Sequence, residues 1–151
     1  AWLQGLHGEA RREFDEALRF ARGQGNLREE ASALVRKGGL LLWQSEFDEA
    51  LTTLERGAML IQEGGHHRLQ VELKVHLGAA IAMTRDLAEG TEMLREGIRE
   101  SVEARLWLPE LFGRAQLSRV ARIANADVGA VGDEELFRTF PLTRELIIGD
   151  A

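Results

Sequence analysis

The sequence predicts an all-α protein assembled from repeated pairs of antiparallel helices. Two observations predict it. The hexapeptide Glu13-Phe14-Asp15-Glu16-Ala17-Leu18 returns letter for letter as Glu46-Phe47-Asp48-Glu49-Ala50-Leu51, one helix-turn-helix period further along. A second, slightly longer register, free of gaps, relates the segment from Ala31 to the segment from Val71. In it Leu34, Gly38, Leu41, Ala50, Leu54 and Gly57 correspond to Lys74, Gly78, Ile81, Gly90, Leu94 and Gly97. Small residues recur where one helix must pass close to another. Large apolar residues recur a turn or two away, where they fill the space between helices. Internal copies at such a period are the signature of a stacked helix-turn-helix unit. A single acidic hexapeptide is also simply a good helix start, because carboxylates suit the N-terminal end of the helix dipole. Two identical copies, with the degenerate Asp86-Leu87-Ala88-Glu89-Gly90 at the matching place, argue for a repeated unit.

Each element follows from local signals. Ala1 to Leu6 reads as the end of a truncated first helix, and Glu9 to Arg22 as the next, broken by Gly23-Gln24-Gly25-Asn26. Arg28 to Gln44 carries an apolar stripe at Ala31, Leu34, Gly38, Leu41 and Leu42, and Ser45-Glu46 makes a tight turn. Phe47 to Glu63 follows, closed by Gly64-Gly65, a helix-ending signal. Arg68 to Thr84 and Leu87 to Ala104 form the next pair. Pro109 opens a helix that runs to about Asn125, since proline is tolerated in a first turn. Beyond it the register is lost. Asp127 to Gly132 reads as a loop, Asp133 to Phe140 as a short helix broken by Pro141, and Thr143 to Ile148 as one more.

The pattern resembles the tetratricopeptide repeat, in the long-helix subclass whose units exceed the family's usual length. That family places a small residue midway along helix A, here Gly38 and Gly78. It places others early in helix B, here Ala50 and Gly90, and two turns later, here Gly57 and Gly97. Leu54 and Leu94 occupy the large helix B position between them. The family's aromatic in helix A is replaced by Leu34 and Lys74, its tyrosine-like place holds Leu41 and Ile81, and its closing proline is missing. The resemblance covers Gly5 to Asn125. It implies one domain, a right-handed superhelix of antiparallel helix pairs. Its parts are a partial repeat at 1–26, repeats at 27–65 and 66–105, a degenerate repeat helix at 106–126 and an atypical C-terminal capping segment at 127–151. Terminal repeats must close an exposed core. Leu136, Phe137, Phe140, Leu142, Leu146, Ile147 and Ile148 suit such a lid, or a self-association surface.

Composition narrows the function classes. The chain has 151 residues, two prolines, no cysteine and no tyrosine, so disulfides and zinc-thiolate sites are excluded. No apolar run approaches the roughly 20 residues of a membrane span. Without cysteine or a visible signal peptide, a cytoplasmic setting is expected. The chain starts without methionine, inside what reads as a helix, as expected of a fragment of a longer protein. A formal charge of −6 disfavours nucleic acid, whose nonspecific affinity is largely phosphate neutralisation. Lysine occurs only at Lys37 and Lys74, the other basic residues being arginine. A high-GC genome explains that preference, as does selection for forks that grip carboxylate or phosphate.

The resemblance also implies where a partner would lie. The family's concave groove is lined by set positions of helix A. Here they are Ser32, Val35, Arg36, Gly39, Leu42 and Trp43, then Glu72, Val75, His76, Ala79, Ala82 and Met83, and finally Phe112, Ala115, Gln116, Arg119, Arg122 and Ile123. Val35, Trp43, Val75 and Met83 are apolar, and Arg36, His76, Arg119 and Arg122 are cationic or polar. Such a groove suits a protein or peptide with an apolar anchor and an acidic group, which arginine holds by two parallel hydrogen bonds. Trp43 and Met83 fit core packing between helices equally well. A chaperone-tail clamp is rejected, because Gly39 and Ala79 stand where such members carry asparagine, and the clamp's lysines are missing.

Chemistry finds little support. His66-His67 lie side by side, point in different directions on a helix and lack further ligands, so no metal is expected. Ser45, Ser101 and Ser118 have no strand-turn-helix context for a nucleophile, and Gly23-Gln24-Gly25 lacks the lysine of a phosphate loop. The expectation is a non-catalytic, cofactor-free binding scaffold. The alternative is a sensor or regulatory array within a larger bacterial signalling ATPase or transcription activator.

Overall fold

The computed structural model describes residues 2–61 and 66–123, with side chains from residue 5 to residue 122. Among the described residues there are six α-helices and no strand: α1 (Trp2–Gly23), α2 (Leu27–Trp43), α3 (Phe47–Leu60), α4 (His67–Thr84), α5 (Leu87–Glu103) and α6 (Trp107–Ile123). The described residues are all-α, as the periodicity predicts. None of these helices is long and apolar enough to cross a membrane. The expected C-terminal elements and the capping residues from Leu136 to Ile148 lie outside the described residues, as do Gly64 and Gly65.

α6 begins at Trp107, so Pro109 lies within its first turn rather than opening it. Two boundaries differ from expectation by more than two residues. α1 runs unbroken through Leu6 and Gly8, where two helices were expected. Among the described residues nothing lies within 4 Å of a Cβ position on Gly5 or Gly8. A helical glycine costs only about 1 kcal/mol, which is too little to end a long helix by itself. α3 stops at Leu60 rather than Glu63, because Ile61 turns extended (φ −82°, ψ 110°).

The helix ends are built from local hydrogen bonds. Asn26 and Asp86 cap α2 and α5, each accepting from the amide three residues on, at 3.2 and 3.0 Å. Three corners share one closing pattern. Asn26, Glu46 and Leu106 donate to the carbonyls of Ala21, Leu41 and Ser101, while Gly25, Ser45 and Arg105 donate to those of Arg22, Leu42 and Val102. This is the Schellman closure, and it needs a left-handed residue. Gly25 supplies it at φ 63°, but Ser45 (φ 63°) and Arg105 (φ 57°) supply it without being glycine.

The small residues mark the crossings. A Cβ on Gly38 would meet Leu54, and one on Gly57 would touch Leu34 and Val35, so α2 and α3 run antiparallel. Gly78 lies against Gly90 and Leu94, and Gly97 against Val75, which sets α4 and α5 the same way. Leu54 and Leu94 are fully buried at equivalent places and belong to one core with Leu41, Leu42, Ala79 and Ile98. Each helix packs on the next, and α2 also meets α4, as α4 meets α6. The even-numbered helices therefore form a continuous row, and this row carries the candidate site.

Candidate partner-binding face

The stride that carries Gly38 to Gly78 sorts the sequence-predicted residues into lines across α2, α4 and α6. Val35, Val75 and Ala115 form the first line, and all are buried. Arg36, His76 and Gln116 form the second. Arg36 is exposed, whereas His76 and Gln116 are buried. Gly39, Ala79 and Arg119 form the third, with Gly39 and Ala79 buried and Arg119 half-buried. In the fourth, Trp43 is 44% exposed and Met83 half-buried. Arg122, which follows Ala82 in the stride, is exposed. Successive helices approach closely enough that Val35, Gly39, Val75, His76 and Ala79 serve as packing. The surface of this face belongs to Arg36, Trp43, Arg119 and Arg122.

His76 shows how close the approach is. A Cβ on Gly39 would stand 3.0 Å from its ring, and its centroid lies 6.0 Å from that of Phe112 on α6. Nδ1 of His76 and Nε2 of Gln116 have no hydrogen-bond partner among the described residues. Burial pushes the His76 pKa down to about 4, so the imidazole is neutral at pH 7.

Arg119 makes the longest-range polar contacts of the face. From α6 its Nη1 donates to the carbonyl of Leu42, and its Nη2 donates to the Ser45 hydroxyl at 2.6 Å. Its guanidinium carbon lies 5.8 Å from the ring centroid of Trp43 and 5.3 Å from that of Phe47. Both distances are within cation-π range. Burial lowers the Arg119 pKa, and nearby Arg122 adds to the shift. Ser45 and Phe47 are not among the groove positions the resemblance implies, because they sit outside helix A. The signal that could have found Ser45 is a serine where the matching corner uses Gly25.

The other candidates remain apart from this face. His66, at φ 72°, precedes α4, and His67 begins it; both are exposed. Among the described residues no cluster of histidine and carboxylate could hold a metal ion. An open hollow between Glu9, Arg12, Glu13 and Glu16 belongs to α1 alone. The arrangement offers an aromatic-stacked guanidinium, two exposed arginines and a tryptophan. That chemistry recognises anions with an apolar neighbour. The chain matches no protein-family model, no curated protein and no solved structure, so the functional reading rests on these residues.

Proposed function

We propose that the chain is a tetratricopeptide-like array, a right-handed superhelix of antiparallel helix pairs, and that it acts as a non-catalytic scaffold. Its partner is a protein or peptide segment presenting a carboxylate beside an apolar group, bound along the α2–α4–α6 face. The observation that carries this reading is the Trp43–Arg119–Arg122 edge. Arg119 is oriented by Trp43 and Phe47, and among the described residues its hydrogen-bond acceptors are a carbonyl and a hydroxyl rather than a carboxylate. Arg122 adds an exposed cation beside half-buried Arg119, in a chain of net charge −6. Tryptophan and arginine are the residues most often found as interface hot spots. The array itself is supported by the repeated crossings at Gly38 with Leu54 and at Gly78 with Leu94.

The test is affinity capture from native extract with wild type beside Arg36→Glu/Arg122→Glu, both exposed positions that leave the core alone. The expected result is a partner held by wild type and weakened about 30-fold or more in the variant, the scale of hot-spot losses above about 2 kcal/mol. A partner retained equally by both moves the interface off this face.

A further inference from the structure

Gly39, Ala79 and Arg119 occupy one place in three successive steps of the same stride. The first two have little or no side chain. The third has the longest of the basic ones, and it crosses back to the α2–α3 corner, reaching Leu42 and Ser45 from two helix pairs away. We propose that Arg119 is a displaceable strap. In the free chain it ties α6 to that corner, and a ligand carboxylate takes over its fork and releases the tie. This rests on the reading of the face as a binding site for an acidic, apolar segment.

Three observations carry it. Among the described residues the strap's acceptors are neutral, whereas a carboxylate offers the guanidinium an opposite charge and two parallel acceptors matched to its fork. The Leu42 carbonyl already accepts from the backbone amide of Ser45 at 3.1 Å, so losing Arg119 leaves it satisfied. The corner also holds a serine at φ 63°, where the first matching corner uses Gly25 and the third uses Arg105. Glycine would close that turn more easily but would give Arg119 no hydroxyl. Trp43 and Phe47 meanwhile hold the guanidinium plane in either state, and exposed Arg122 draws an anion to the same edge.

A strap competes with its ligand, so weakening it should tighten binding, because apparent affinity is reduced by the fraction of sites that are shut. The experiment measures binding of a short synthetic peptide carrying two glutamates and a phenylalanine to wild type, Ser45→Gly, Arg119→Ala and Arg122→Glu, by titration calorimetry. Ser45→Gly removes one anchor and suits the backbone, so this variant keeps the fold. The expected result is affinity raised about three- to ten-fold in Ser45→Gly and lowered more than about ten-fold in Arg119→Ala. Unchanged or weaker binding in Ser45→Gly overturns the strap, even if Arg119→Ala fails to fold. Wild-type affinity in Arg119→Ala, with loss in Arg122→Glu, also overturns the strap but keeps the binding face. No binding to wild type at millimolar peptide overturns the strap as a carboxylate switch; the capture experiment then decides the face independently.

Discussion

Gly78 and Gly90 face each other across the α4–α5 crossing so closely that a Cβ on either would press on the other's carbonyl oxygen, at 3.0 and 2.6 Å. A Cβ on Gly90 would also meet the backbone of Ala82 at 2.1 Å. Backbone cannot swing away as a side chain can. Gly90→Ala should therefore destabilise by about 1–3 kcal/mol, outweighing the roughly 1 kcal/mol that alanine gains in helix propensity. Gly8→Ala, on an open face of α1, should stabilise by about 0.5–1 kcal/mol. Chemical denaturation of the two variants checks the opposite signs. Equal midpoints would mean the crossing is looser than described.

His76 makes stability depend on pH. Its pKa falls from 6.5 to about 4 on folding, through burial. The unfolded chain therefore binds the proton more readily. The contribution is fully present above pH 6.5 and is lost as pH falls toward 4, amounting to about 3 kcal/mol. His76→Leu should lose that part of the slope across this window. A variant with the wild-type slope would show that carboxylates elsewhere account for the acid sensitivity.

Gln116 buries an amide nitrogen with no partner among the described residues. An orphaned donor costs free energy that an apolar group of similar volume does not. Gln116→Leu should thus be neutral or stabilising by about 1 kcal/mol, read from the urea midpoint. A clear loss would reveal a bridging water that the glutamine serves.

Lys74 stands where the resemblance implies an aromatic. Its Nζ donates to Glu100 at 2.6 Å and to Glu96 at 3.2 Å. The Glu100 bond is the main cause of its raised pKa, burial opposes it and Glu96 adds to it. The gain is present below the unfolded value of 10.5 and lost as pH climbs through the higher folded value. All three side chains are partly exposed, so Lys74→Met should cost less than about 1 kcal/mol, shrinking at high salt. A larger, salt-independent loss would assign Lys74 a packing role.

The helix pairs were legible because their crossings are written in residue size. Gly38 with Leu54, and Gly78 with Leu94, recur at one spacing and do meet. The exposure of the face was not legible. Whether Val35, Val75 and His76 line an open groove or pack depends on how closely one pair approaches the next, and no single repeat encodes that distance. Nor could the spacing show Arg119 crossing two units to reach Ser45. The expected division of α1 between Leu6 and Glu9 does not occur, and among the described residues Gly5 and Gly8 meet no neighbour that would mark a crossing there.

Most packing joins helices adjacent in the chain, and such short loops close quickly. The link from Arg119 to Leu42 closes a far longer loop and should form late, after the rate-limiting barrier. Interactions absent at the barrier change the rate of escape from the folded state and not the rate of arrival. In stopped-flow measurements Arg119→Lys should steepen the loss of folded molecules while leaving refolding times alone. One side chain would then set the lifetime of the folded chain without taking part in its making.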